Sequence, residues 1–203
     1  MAACIVLLIA CALPALVLGY STAAGPPACI NLTPQHDGTI AQNSTPPYSL
    51  FVDTNSVKKG GMVTVTLNAT ATDGYFEGFL VQARCTKCST ADTAIVPGTF
   101  AKYTASDGTI QTMDCLNVTK NSITHTSEFK KKSVMFTWKV PAGYDVSQGI
   151  KFRATVVKSL RTWWNTVMSD EISVTTSSCS RSASAMAVVI GSIIASLLLS
   201  HYL

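Results

Sequence analysis

Apolar and polar residues alternate with period two through most of the chain's middle, the pattern of strands that bury one face. In Met62 to Leu67, Val63, Val65 and Leu67 share a face opposite Thr64 and Thr66. Between Ser133 and Val140, Val134, Phe136, Trp138 and Val140 oppose Met135, Thr137 and Lys139. From Ile150 to Val157, Ile150, Phe152, Ala154 and Val156 oppose Lys151, Arg153 and Thr155. The run Gly78 to Arg84 is nearly continuous in its apolar character and reads as a more fully buried strand. Weaker strands are expected near Tyr48–Val52, Thr99–Tyr103, Ile110–Met113, Trp163–Met168 and Ile172–Thr175. Turn residues separate these runs at Lys59-Gly60-Gly61, Asp73-Gly74, Pro97-Gly98, Asp107-Gly108, Pro141-Ala142-Gly143 and Gln148-Gly149. Eight or nine short strands with such spacing predict an all-β fold, an antiparallel sandwich of immunoglobulin-like architecture. No helix is expected in the domain. The Cys–Trp–Cys spacing of true immunoglobulin domains is missing, because Trp138 follows Cys29, Cys85, Cys88 and Cys115.

The two ends depart from this pattern. Residues 1–19 read as a signal peptide, with an apolar run from Ala2 to Leu18 before the small residues Gly19, Ser21 and Ala23. Residues 177–203 read as a signal for a glycolipid (GPI) anchor. A Ser/Thr-rich spacer leads into an apolar core, Ala185 to Leu199, and Ser182 to Leu203 carries no Asp, Glu, Lys or Arg. A retained membrane span is the alternative, but it usually carries basic residues beyond its end. The expected attachment residue is Ser178. Residues 20–176 are then one domain at the outer face of the cell membrane, also released as a soluble form.

Composition changes this picture little. The 47% hydrophobic content is raised by the two terminal segments. All 11 acidic residues and all but Arg181 of the 15 basic ones lie between Tyr20 and Ser178, a net charge of +3. Such a mild excess gives no basis for nucleic-acid binding.

Four of the seven cysteines, Cys29, Cys85, Cys88 and Cys115, fall within the domain. In an oxidising compartment they read as two disulfides, with three pairings open. The Cys85-Thr86-Lys87-Cys88 run also fits a thiol redox centre, but no helical pattern follows to lower a thiol pKa. A zinc site from Cys85, Cys88, Cys115 and His125 is disfavoured by the compartment. Four sequons, at Asn31, Asn43, Asn68 and Asn117, mark expected glycan sites and hence surface.

Catalytic signals are thin. His36 and His125 are the only histidines in the domain, and no nucleophile elbow, metalloprotease motif or phosphate loop accompanies them. Both read as structural polar groups, and neither an enzyme nor a cofactor is expected. Two features are candidate ligand contacts. Lys130, Lys131 and Lys132 form the densest positive charge, suited to polyanions; the plainer reading is a solvated hairpin or an edge guarded against aggregation. Trp163-Trp164 would point one indole inward and its neighbour outward, where it could stack on a sugar or simply cover a sheet edge.

With the strands placed, the residues resemble a reeler domain, the N-terminal module of reelin. The likeness runs from Gly25-Pro26-Pro27-Ala28-Cys29 through Leu32, Pro34, His36 and Pro47-Tyr48. It is strongest at Phe76-Glu77-Gly78-Phe79-Leu80-Val81-Gln82-Ala83-Arg84. Gly98, Phe100, Cys115 with His125, Phe136 to Pro141 and Ile150 to Thr155 continue it, so that it covers Gly25 to Val174. The extra Cys85/Cys88 pair, Leu32, Val140 and the anchor signal depart from the family pattern. The resemblance implies the sandwich and supports pairing Cys29 with Cys115, leaving Cys85 with Cys88. Reeler domains occur in reelin, spondins, ferric-chelate reductase-like membrane proteins and single-domain arthropod defence proteins. The chain lacks the cytochrome-like segments of the reductases and looks most similar to the defence proteins. That implies recognition of microbial surface glycans or lipopolysaccharide. An adhesion module binding host glycosaminoglycan or protein is the other reading.

Overall fold

The computed structural model of the chain describes residues 21–36, 38–88, 94–103, 108–145 and 147–176. The expected signal peptide and the tail from residue 177, including Ser178, lie outside the described residues. Within them the elements are α1 (Ala28–Asn31), β1 (Tyr48–Val52), β2 (Ser56–Lys58), β3 (Met62–Ala69), β4 (Gly78–Cys85) and β5 (Thr99–Lys102). They continue with β6 (Ile110–Cys115), β7 (Val118–His125), β8 (Ser133–Lys139), β9 (Ile150–Ser159), β10 (Thr162–Met168) and β11 (Ser173–Thr175).

A four-stranded sheet of order β1-β3-β8-β5 stacks on a five-stranded sheet of order β10-β9-β4-β7-β6, both antiparallel. A small parallel pair, β11 beside β2, stands apart from them. The alternating residues meet between the two large sheets. Val63, Val65, Leu67, Phe136 and Trp138 of one face Phe79, Val81, Phe152, Ala154 and Val156 of the other. The Trp138 and Phe152 rings close the gap edge to face at 5.4 Å, with Phe100 against Phe152 at 6.1 Å. Gly98 is required where the chain enters β5, because a Cβ there would lie 2.2 Å from the Trp138 indole.

Every expected strand is present, but β2, β7 and α1 are additions. The strand β7 escapes the period-two pattern because its buried positions are largely polar: Asn121, Ser122, Thr124 and His125 surround the one core apolar residue, Ile123. Each has a specific partner. Asn121 Oδ1 accepts from the Cys115 amide at 2.8 Å, and its amide donates to the Cys115 oxygen at 2.9 Å.

All eight residues of β4 are buried, for a reason outside the sandwich core. Phe79, Val81, Ala83 and Cys85 join the core, and the other face is covered by the N-terminal segment up to Ser44, here termed the strap. The strap crosses the outside of the five-stranded sheet from β6 and β7 to β10. Ala24 N donates to Thr124 Oγ1 at 3.0 Å, and Gln82 and Arg84 both donate to the Cys29 oxygen at 3.2 Å. Thr155 Oγ1 donates to the Leu32 oxygen. Farther along, Trp163 Nε1 donates to Thr39 Oγ1 at 3.0 Å, and Gln42 N donates to the Trp163 oxygen at 2.9 Å. Leu32 ends α1 in the left-handed region, φ 60°, and joins Ala28 and Leu80 in a second small apolar cluster. The Cys29–Cys115 disulfide fastens the strap to the end of β6.

Candidate functional site

Between the strap and the beginning of β4 lies a cavity of about 180 Å3. Its apolar wall comes from Ala24, Ala28, Leu32, Phe79, Leu80 and Val157. Its polar lining includes Glu77, Glu128, His36 and His125 beside Ser21, Gln35 and Thr155, so both histidines of the domain meet in one place. His125 closes β7, and its Nδ1 accepts from the Phe79 amide at 3.2 Å. Its ring abuts Gly78, where a Cβ would come within 3.1 Å of the imidazole. Glycine at position 78 is therefore part of the site's construction. The Nδ1 of His36 is sealed from solvent and has no hydrogen-bond partner. Among the described residues, no Lys or Arg lines the cavity.

The candidate contacts expected from the sequence lie elsewhere. The lysine cluster does not act as one patch. Lys131 is only 5% exposed, and its Nζ donates to the main-chain oxygens of Glu77, Ser127 and Phe129 at 2.9, 2.6 and 2.6 Å. A bridge with Phe76 alternates its side chain inward, so it cannot meet a polyanion. Lys130 and Lys132 remain exposed, the former 4.3 Å from the centre of the Tyr75 ring. The tryptophan pair is likewise corrected. Trp164 enters the sandwich core, and Trp163 points to the other side as alternation requires, but that side is covered by the strap. With exposures of 2% and 6%, neither indole presents a face for stacking on a sugar.

Cys29 pairs with Cys115 and Cys85 with Cys88. With all four sulfurs in disulfides, none is a thiolate available to zinc. Asn31, Asn43 and Asn117 are exposed and Asn68 half-exposed on the outer side of β3. No helix among the described residues is long and apolar enough to cross a membrane.

Glu77, Gly78 and Glu128 were not singled out as site residues from the sequence, and the two histidines were read as structural. One signal was present: the nearly continuous apolar character of Gly78 to Arg84 means that something covers the outer side of that strand.

The family model for the Reeler domain matches residues 27–180. The chain belongs to the Reeler domain family. Among curated relatives of this Reeler chain, "Defense protein l(2)34Fc" of Drosophila melanogaster is 35% identical over 161 residues, spanning 78% of the chain and 91% of that protein. "Putative ferric-chelate reductase 1" of Danio rerio is 37% identical over 158 residues, 77% of the chain; the match spans only 26% of that longer protein. In the fold comparison the human F-spondin reeler domain superposes with a TM-score of 0.53 at 21% identity, covering 68% of the chain and 96% of that domain. That likeness supports the sandwich assignment alone.

Proposed function

We propose that this Reeler protein is an extracellular recognition protein of innate defence that binds microbial envelope components and has no catalytic role. The observation carrying the reading is the strap cavity. It is a preformed concave site with apolar walls and a few convergent polar groups, the usual construction of a ligand pocket. The names of the full-length relatives, defence proteins matched over most of their length, support the biological setting. The two disulfides fit an oxidising compartment outside the cytosol. Removal of residues 1–19 and anchoring at Ser178 would leave the domain at the outer membrane face, with glycans on the exposed sequons.

The test is binding of the secreted protein to immobilised lipopolysaccharide, peptidoglycan and β-glucan, with heparin as the host-polyanion comparison. Wild-type protein is expected to bind at least one envelope preparation, and Ala23→Trp, at the cavity wall, is expected to remove that binding. Binding to heparin alone, or envelope binding untouched by the substitution, would overturn the reading. Release of the protein from cells by phosphatidylinositol-specific phospholipase C tests the anchor separately.

A further inference from the structure

We infer that the strap cavity takes a small amphipathic amine, with the apolar body against Leu32, Phe79 and Leu80 and the ammonium beside Glu77 and Glu128. This deepens the functional reading above by naming the chemistry of its ligand.

Size sets the body. A cavity of about 150 Å3 with apolar walls accommodates benzene, so the 180 Å3 here fits one ring or a short alkyl chain. Charge sets the head. Glu77 and Glu128 line the cavity, and among the described residues no Lys or Arg does. Lys131, the cation behind the Glu77 wall, is committed to three carbonyl oxygens. An anionic head would meet two carboxylates without a counter-charge and would lose its own hydration, an unfavourable exchange. An ammonium supplies three donors and a positive charge, and so meets the carboxylates.

The experiment compares n-hexylamine, n-hexanol and n-hexanoate, which share one body and differ in the head, by calorimetry and ligand-observed NMR on the whole secreted protein at pH 7.5. Hexylamine is expected to bind at least roughly tenfold more tightly than hexanoate, the margin typical of a charge-assisted contact. Glu77→Gln with Glu128→Gln is expected to shrink that preference about tenfold. Ala23→Trp and, independently, Leu160→Trp at the opposite rim should abolish binding of all three, with unchanged circular dichroism confirming the fold. Equal binding of the three heads, preference for hexanoate, or absence of hexylamine binding to the wild type would overturn the inference. Vesicles of phosphatidylcholine with and without phosphatidylethanolamine serve as competitors. Competition by the ethanolamine vesicles assigns a lipid headgroup as the source, and hexylamine binding without such competition assigns a free amine; either supports the inference. Envelope binding that depends on the cavity but resists excess hexylamine would sink the ligand class and leave the defence reading standing. Hexylamine binding without any envelope binding would do the reverse.

Discussion

Lys131 Nζ lies 2.9 Å from the main-chain oxygen of Glu77, the residue that leads into β4. A cation that the sequence places in a surface cluster thus holds together three carbonyls beside the cavity. Lys131→Met keeps the volume and removes the donors, and is expected to destabilise the domain by about 2–3 kcal/mol, since buried acceptors are left unpaired. Lys130→Ala and Lys132→Ala should each change stability by less than about 0.5 kcal/mol. Chemical denaturation of the three variants checks the ordering.

All three tryptophans are buried: Trp138 and Trp164 in the sandwich, Trp163 beneath the strap. Acrylamide should therefore quench native fluorescence weakly and the unfolded protein strongly. Soluble oligosaccharides should leave the native spectrum unchanged. A saccharide-dependent shift that disappears in Trp163→Phe would restore the stacking role.

The two disulfides should differ in consequence. Cys29→Ala with Cys115→Ala opens a link across 86 residues of chain and should cost about 2–5 kcal/mol. Limited proteolysis is expected to cut this variant first within residues 21–36, because the strap loses its covalent fastening. Cys85→Ala with Cys88→Ala, spanning three residues, should cost much less and leave the strap protected.

Alkaline pH acts through Tyr48. Burial first, then the neighbouring Tyr75 and Glu77, push its phenol from 10.0 up to about 12. The folded state then holds the proton more tightly than the unfolded state. The contribution is intact below pH 10 and is lost as pH rises from about 10 towards 12. Tyr144 is raised by burial, with Asp145 and Glu171 adding to it, and works in the same direction. Tyr48→Phe should flatten part of the alkaline loss in thermal melts. At neutral pH it should cost about 1 kcal/mol, for the lost bond to the Tyr75 oxygen.

The sandwich was legible wherever one strand face is apolar and the other wet, as in β3, β8 and β9. It was illegible in one strand whose buried positions are mostly polar. In β7 the burial is carried by Asn121, Ser122 and Thr124, whose partners lie on other segments and leave no local pattern. Trp163 shows the same limit from the other side: alternation separates the two indoles onto opposite faces without saying which is which, and nothing nearby in sequence announces that Thr39 and Gln42 will lie over Trp163. The cavity was hidden for that reason as well, since Glu77, His125 and Leu32 converge only through the strap's long-range docking.

The bridge from Cys29 to Cys115 also imposes an order on synthesis. Cys29 leaves the ribosome long before its partner, and Cys85 and Cys88 are made in the interval, each able to capture its waiting thiol. By closing on one another three residues apart, those two withdraw from the competition. Of the four domain cysteines, Cys115 is then the partner left for the first-made thiol.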